Sequence, residues 1–185
     1  MEALTDGIIA IVATIMVLEL HAPDEFTFAS LKSQLPAFSA YAVSFALVIL
    51  SWYNYHLLFL RSKRVDLRVY LANAAWLFVL SGMPFATSWV GKFPTHWQPE
   101  LLYLGLSSLW TLLYSLTSWT LRRVNSEDRN TVDLEPRGTI TVRYTILLAS
   151  LILLPFWPPV GLIGTLVLMI VSVVENLVNE TRNSN

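Results

Sequence analysis

Four side chains that could form one polar network lie near the ends of the first three apolar segments of the sequence. Asp6 begins the first segment, Trp52 and His56 lie close to the end of the second, and Asn73 lies in the first turn of the third. Helices rise about 1.5 Å per residue, so counting from the segment ends puts Asp6, His56 and Asn73 at about the same depth. Trp52 precedes His56 by one helical turn and shares its face. Ionisable groups inside apolar segments are costly and mark functional candidates, whereas a helix-capping Asp6 and a satisfied core His56 are the plainer alternatives.

The first apolar segment carries a pattern that could line a pore. On a helical wheel, branched apolar residues fill one narrow arc and small residues fill the adjoining arc. Branched aliphatics beside one hydroxyl could form a narrow pore that gates by dewetting. The alternatives are lipid contact or burial in the bundle core for the apolar arc, and close helix packing for the small arc. The apolar arc consists of Leu4, Ile8, Ile11, Ile15 and Leu18, and the small arc consists of Gly7, Ala10 and Thr14.

Two further residues could shape such a pore. Glu19 ends the first segment, and copies of this helix around an axis would form an acidic ring that attracts cations. A lone interfacial carboxylate in water is the alternative for Glu19. Pro84 follows Ser81 and Gly82 in the third segment, and this combination predicts a kink near the middle of the helix.

The composition identifies the elements that must position these residues as membrane-spanning helices. Of the 185 residues, 55% are apolar and only 14% are charged, against about 25% charged in an ordinary soluble domain. A helix needs about 20 mostly apolar residues to cross a bilayer. The sequence therefore predicts an all-α integral membrane protein with a single six-helix transmembrane domain over residues 1–185. The predicted spans are residues 4–20, 37–60, 70–90, 101–121, 139–157 and 160–178.

The distribution of basic residues predicts the orientation of these spans. The loops after the second and fourth spans and the C-terminal tail hold nine Lys and Arg, and the remaining connections hold two. The positive-inside rule then places both termini and the polar loop 122–138 in the cytoplasm. Because no basic region precedes the first segment and no small-residue cleavage pattern follows it, we expect a span there rather than a signal peptide.

The sequence argues against several classes of function. A net charge of -1 gives no indication of a nucleic-acid partner, and the lack of cysteine excludes disulfides and thiolate metal sites. The histidines are too far apart for a helical metal pair, and no zinc-protease, hydrolase or P-loop motif occurs. We therefore expect no enzyme and no cofactor. A small secondary transporter or proton leak pathway, and an accessory membrane protein of a larger complex, are the alternatives to a channel.

The first half of the chain resembles the transmembrane protein 175 family, whose eukaryotic members are lysosomal potassium channels. Residues 4–20 resemble the first helix of the family, with Leu-Thr-Asp at positions 4–6 where the family has Phe-Ser-Asp. The leading arginine of the family motif would fall one position before Met1. Spans four to six match only in hydropathy. The resemblance continues with Trp52 and His56 in the second span and with Asn73, Pro84 and Phe85 in the third.

This resemblance implies a potassium-permeable cation channel with moderate K⁺ over Na⁺ selectivity, in a prokaryotic plasma membrane. Prokaryotic members of the family are homotetramers in which the first helix lines a central pore that has no carbonyl filter. By position, Ile11 would form the narrowest ring and act as a hydrophobic gate, and Thr14 would supply a hydroxyl ring one turn outward. Ile15 and Leu18 would be further apolar pore positions.

The resemblance also assigns a role to the polar residues at the inner side. Asp6, Trp52, His56 and Asn73 would form the network that anchors the pore helix. The implied partners are further copies of the chain, the lipid bilayer and permeant monovalent cations. K⁺ would pass through the protein, and neither a bound metal nor a cofactor is implied.

Overall fold

The fold consists of helices throughout the part of the chain that the structure describes. This structure, a computed structural model, describes residues 1–60, 62–125 and 137–183, and no strand occurs among them. The all-α class predicted from the sequence is therefore confirmed. The helices are α1 (Glu2–Leu18), α2 (Phe28–Ser33), α3 (Leu35–Leu60), α4 (Leu67–Leu80), α5 (Met83–Lys92), α6 (Trp97–Val124), α7 (Arg137–Leu153) and α8 (Val160–Asn183).

The helix bounds correct the predicted cytoplasmic loop 122–138. Helix α6 continues to Val124 and α7 already begins at Arg137, so the predicted loop is too long at both ends. Helix α6 continues because the Asn125 side chain donates to the carbonyl of Leu121 at 2.9 Å and closes the last turn. The remainder of the loop, residues 126–136, lies outside the described residues.

Three stretches of the described chain are long and apolar enough to cross a membrane: Leu35–Leu60, Leu67–Lys92 and Trp97–Val124. The apolar stretches Tyr144–Leu153 and Val160–Val174 are shorter. Helix α1 has 17 residues, which is about 25 Å of helix against a hydrocarbon core of about 30 Å. The count of six spans and the placement of the termini stay predictions.

The third predicted span is interrupted at the place where the sequence predicts a kink. Helix α4 ends at Leu80, Ser81 and Gly82 form a turn, and α5 begins at Met83. Pro84 lies in the first two positions of α5, where its missing N–H and fixed φ suit a helix start. The interruption lies beside α1, because α1 packs against both α4 and α5.

The core of the bundle is built around stacked aromatic rings. Trp76 of α4 stacks on Tyr55 of α3, with ring centroids 5.3 Å apart and planes 5° from parallel. On its other side Trp76 stacks on Trp110 of α6 at 6.0 Å and 19°. Such pairs add about 0.5–1.5 kcal/mol beyond the area that they bury. The stack joins α3, α4 and α6, and α1 packs on α3 and α4 of this group.

Candidate pore face and its inner anchor

Helix α1 has one side packed on its own chain and one side left uncovered. The packed stripe comes from positions three or four apart, which fall on one face of a helix. At 3.6 residues per turn, the direction opposite to this stripe falls on Gly7, Ile11, Thr14 and Leu18. The buried residues of α1 are Thr5, Ile9, Val12, Ala13 and Met16.

The predicted pore residues all lie on the uncovered side of α1. Ile11 is 58% exposed, Ile15 is 40% exposed and Leu18 is 75% exposed, and Thr14 is also exposed. Within one chain, the small residues at Gly7 and Ala10 do not pack on another helix, since both are exposed. The face that the sequence marks as unusual is therefore the face that a single chain leaves open.

The Thr14 hydroxyl is oriented by its own helix. It donates towards the carbonyls of Ala10 and Ile11, both at 2.9 Å. A hydroxyl that gives its hydrogen to the backbone keeps its oxygen lone pairs available on the other side. The exposed side of Thr14 thus presents an acceptor, which suits contact with a cation.

An apolar groove of about 680 Å³ runs beside this face, between α1 and the α4–α5 pair. Ile11 and Ile15 line it from α1, and Phe78 and Phe85 line it from α4 and α5. Phe78 is 79% exposed and Phe85 is 66% exposed. In one chain the groove therefore leaves large apolar side chains without a covering partner.

The C-terminal end of α1 is tied to α5 through Glu19. The Ser88 hydroxyl donates to Glu19 Oε2 at 2.8 Å, and Glu19 itself is exposed. This hydrogen bond fixes the carboxylate at the end of the groove, since both Glu19 and Ser88 also line the groove. The predicted mouth residue is thereby held beside the uncovered face.

The structure brings together three of the four predicted inner-side residues. Trp52 Nε1 donates to Asp6 Oδ1 at 2.8 Å. The Trp52 ring stacks on His56, with centroids 5.6 Å apart and planes at 18°. Asp6 and His56 are therefore joined through the indole that lies between them. Trp52 is 36% exposed, so this contact lies at the surface of the chain.

Asn73 joins a different, buried cluster that the sequence analysis missed. Its Nδ2 donates to Thr5 Oγ1 at 3.1 Å, and the Thr5 hydroxyl donates to the Tyr55 hydroxyl at 3.1 Å. All three residues are buried. Thr5 and Tyr55 directly precede Asp6 and His56 in the sequence, and this adjacency to two candidate residues was the available signal.

Glu100 is a second residue that the sequence analysis missed. It lies in the first turn of α6 and is almost fully buried. Its Oε2 accepts the backbone N–H of Leu162 at 2.9 Å, in the first turn of α8. A carboxylate at a helix N-terminus is stabilising because the free N–H groups there carry partial positive charge. Glu100 immediately precedes the predicted span 101–121, and an acidic residue beside a span was the available signal.

The polar groups of α1 suit transient contact with a cation. In the parts of the chain that the structure describes, no group of three His, Asp or Glu side chains lies together as a metal site would require. The uncovered side of α1 instead offers the hydroxyl of Thr14 in the middle and the carboxylate of Glu19 at the end. Single oxygens at separate heights suit an ion that passes more than one that stays.

Comparison with known sequences relates this chain to a family of ion channels. The family described as "Endosomal/lysosomal potassium channel TMEM175" matches residues 1–84. A potassium channel of Streptomyces collinus (strain DSM 40733 / Tue 365) is 30% identical over 153 residues, which cover 78% of this chain and 74% of that protein.

Two further comparisons are informative. One matches about half of the chain at higher sequence identity, and the other matches nearly all of the chain in three dimensions. A potassium channel of Chryseobacterium sp. (strain P1-3) is 48% identical over 107 residues, which cover 57% of this chain and 56% of that protein. The match thus spans little more than half of that relative. The crystal structure of a lysosomal potassium-selective channel TMEM175 homolog from Chamaesiphon minutus superposes with a TM-score of 0.73 at 26% identity, covering 94% of both chains.

Proposed function

Because this chain belongs to the TMEM175 family of ion channels, we propose that it is a potassium-permeable cation channel of a prokaryotic plasma membrane. The observation that carries the proposal is the uncovered side of α1, where branched aliphatics surround one hydroxyl that presents its oxygen outward. The relatives named as potassium channels support the choice of ion. The protein conducts ions and catalyses no reaction.

The proposed pore forms when four copies of the chain place α1 around a central axis. A single chain cannot enclose a pore with one helix face, and the uncovered side of α1 gives each copy the same lining. The exposed Phe78 and Phe85 of the adjacent groove then pack against the neighbouring copy. A closed symmetric assembly covers this apolar surface on every protomer.

Along the proposed pore, Ile11 forms the narrowest ring and acts as a hydrophobic gate. Thr14 follows one turn outward, then Ile15 and Leu18, and Glu19 lies at the outer mouth. The Glu19 carboxylates raise the local cation concentration there, because a ring of one charge sign attracts counter-ions. A ring of apolar side chains opposes wetting, and this opposition sets the barrier to ion passage.

The proposed selectivity for K⁺ over Na⁺ is moderate. An apolar ring offers no oxygens that could replace the hydration shell of an ion, unlike a filter of backbone carbonyls. K⁺ is more weakly hydrated than Na⁺ and loses water more readily at a narrow ring. The Thr14 oxygens replace part of that water immediately beyond Ile11, so the preference depends on both residues.

In this proposal the inner-side contacts hold the pore helix in place. Asp6 is bonded to Trp52 of α3, and Trp52 stacks on His56. The buried bond from Asn73 to Thr5 ties the same end of α1 to α4. These two attachments fix the N-terminal end of α1 against α3 and α4.

A flux assay on reconstituted protein tests the proposal. Liposomes loaded with KCl are placed in a K⁺ gradient and then in a Na⁺ gradient, and the ion flux is recorded for the parent chain and for Ile11→Asn. We expect a larger flux for K⁺ in the parent. An amide at the gate wets the ring, so Ile11→Asn should raise the flux and reduce the difference between the two ions.

Ile49→Asn provides the matched control, because Ile49 is a half-exposed isoleucine on α3 outside the proposed lining. It should leave both fluxes as in the parent. Equal effects of the two substitutions, or an unchanged flux in Ile11→Asn, would contradict a gate at Ile11.

A pH-sensitive dye inside the same liposomes distinguishes a cation channel from the proton leak pathway. A proton pathway would acidify the lumen even when no K⁺ is present.

A further inference from the structure

A second cavity lies inside the bundle, away from the face of α1. It is a crevice of about 110 Å³ between α3, α4, α6, α7 and α8. On α6 its lining runs from Ser107 and Trp110 in the middle of the helix to Ser118 and Arg122 near the inner end. Ser107 and Arg122 are fifteen residues apart, which is about 22 Å along a helix. The crevice is thus long enough to connect the inner surface with the centre of the protomer.

This crevice collects the polar atoms that lack hydrogen-bond partners. Among the described residues, five buried side-chain polar atoms have no partner. Four of them belong to residues that line the crevice: Trp76 Nε1, Ser107 Oγ, Trp110 Nε1 and Arg122 Nε. Trp76 is 1% exposed and Trp110 is 2% exposed. Buried polar groups are almost always hydrogen-bonded in proteins, so this concentration requires an occupant.

The chemistry of the four atoms restricts what the occupant is. An indole N–H and a guanidinium N–H can only donate, and the Ser107 hydroxyl can donate as well. Arg122 carries a permanent positive charge, and no carboxylate lines the crevice in the described part of the chain. A cation is therefore disfavoured, and an occupant that accepts hydrogen bonds and carries negative charge is favoured.

Arg122 is directed into the crevice by its own helix. Its Nη2 donates to Ser118 Oγ at 3.1 Å. Ser118 lies one helical turn before Arg122, and the Arg122 side chain reaches it because helical side chains point towards the helix N-terminus. Its neighbour Arg123 is directed elsewhere, with its guanidinium 4.0 Å from the centroid of the Trp119 ring. Among the described side chains that line the crevice, Arg122 is the charged one.

We propose that this crevice binds a small monovalent anion of the halide class together with water. The anion accepts hydrogen bonds from the donors around Trp76 and Trp110, while Arg122 attracts it into the crevice from the inner end. The volume is sufficient for an ion that keeps part of its hydration, since roughly 10–15 Å³ of such space holds one water. The site lies within each protomer and is separate from the proposed cation pore.

Collisional quenching of tryptophan fluorescence tests the proposal on the full chain in liposomes. Iodide serves as the anionic probe, caesium as the cationic probe and acrylamide as the neutral one. Subtracting the fluorescence of Trp110→Phe from that of the parent gives the fluorescence of Trp110 alone. Trp157→Phe, which removes an exposed tryptophan, is the control for the subtraction. We expect iodide and acrylamide to quench the Trp110 signal and caesium to leave it unchanged.

Arg122→Gln should reduce iodide quenching of Trp110 by a factor of about ten or more. A positive charge in a low-dielectric cleft raises the local anion concentration about tenfold or more, and the substitution removes that charge. Acrylamide quenching should stay as in the parent. Arg123→Gln is the matched control, with the same change of charge one residue away, and should leave both unchanged.

Three outcomes of the quenching experiment would overturn the proposal. Quenching by acrylamide alone would indicate water without an anion, and equal quenching by caesium would remove the preference for negative charge. Equal effects of Arg122→Gln and Arg123→Gln would indicate a general effect of protein charge. If Trp110→Phe does not fold, anomalous scattering from crystals of the unaltered chain in bromide decides the question. A peak in the crevice supports the site, and an empty crevice overturns it.

Discussion

The two sides of helix α1 differ in how they are stabilised. On the packed side, Met16 is 1% exposed and Thr5 is hydrogen-bonded to both α3 and α4. On the uncovered side, Ile11 and Leu18 are more than half exposed, and the Thr14 hydroxyl bonds to the backbone of its own helix. The contacts of α1 within its own chain are therefore concentrated on one side, and the other side is left exposed.

This difference suggests that stability and conduction can be altered separately in α1. A substitution on the packed side removes contacts that the folded chain needs. A substitution on the uncovered side changes what an ion or a neighbouring copy meets, while most exposed substitutions alter stability by less than about 0.5 kcal/mol. Matched pairs of substitutions, one from each side, test the separation.

Met16→Ala should have the largest effect on stability. Removing a buried methionine side chain leaves a cavity, and such substitutions cost about 2–5 kcal/mol in soluble proteins. In a bilayer, helix packing lacks the hydrophobic driving force of water, so we expect a cost near the lower end, about 2 kcal/mol. The midpoint temperature of unfolding in detergent should fall clearly. It is measured as the loss of the monodisperse size-exclusion peak after heating.

Leu18→Ala is the matched control for Met16→Ala, because it truncates a side chain of similar size on the uncovered side. Its unfolding midpoint should stay close to that of the parent chain. A fall as large as that of Met16→Ala would mean that Leu18 is packed in the assembly and not facing an open pore.

Thr5→Val should have the next largest effect. The substitution keeps the shape of the side chain and removes the hydroxyl that links Asn73 to Tyr55. Both partners then lose a hydrogen bond in a buried site, which costs about 1–3 kcal/mol. Interhelical hydrogen bonds in membranes average about 0.6 kcal/mol, so we expect about 1 kcal/mol here. The same thermal measurement detects this loss, and an unchanged midpoint would show that the cluster contributes nothing.

Much of the fold could be predicted from the sequence because long apolar segments have few alternatives in a bilayer. Depth counting also placed Asp6 and Trp52 at neighbouring heights, and in the structure they are bonded. Helices rise by a constant amount per residue, so distance from a helix end is a reliable coordinate. The height of a residue is therefore readable from the sequence.

The angular position of each helix around the bundle is not readable in the same way. Thr5 and Asp6 are adjacent in sequence, yet one is buried between α3 and α4 and the other is exposed. The crevice at Trp110 and Arg122 is lined from five helices, and hydropathy does not fix which of their faces meet. Sites that depend on the rotation of several helices were for this reason missed.

Trp52→Phe should have a smaller effect than Thr5→Val. Phenylalanine keeps a smaller aromatic ring beside His56 and lacks the N–H that donates to Asp6. Because Asp6 is exposed, water replaces much of the lost bond, and we expect a cost of about 0.5 kcal/mol. Asp6→Asn, which keeps an acceptor for the indole, should cost less in the same thermal measurement. A cost above that of Thr5→Val would show that the exposed contact is the main anchor of α1.

Thr14→Val should have the smallest effect on stability, because the hydroxyl that it removes is exposed and bonds to the carbonyls of Ala10 and Ile11 on its own helix. Its effect should instead fall on ion selectivity. Losing the oxygen ring should lower the K⁺ over Na⁺ permeability ratio by less than about tenfold, which corresponds to at most about 1.4 kcal/mol. Thr14→Ser keeps the oxygen and should preserve the ratio, as measured by reversal potentials in bilayers with K⁺ and Na⁺ on opposite sides. If serine and valine altered the ratio equally, the methyl group and not the oxygen of Thr14 would matter, and selectivity would then depend on the radius at Ile11 alone.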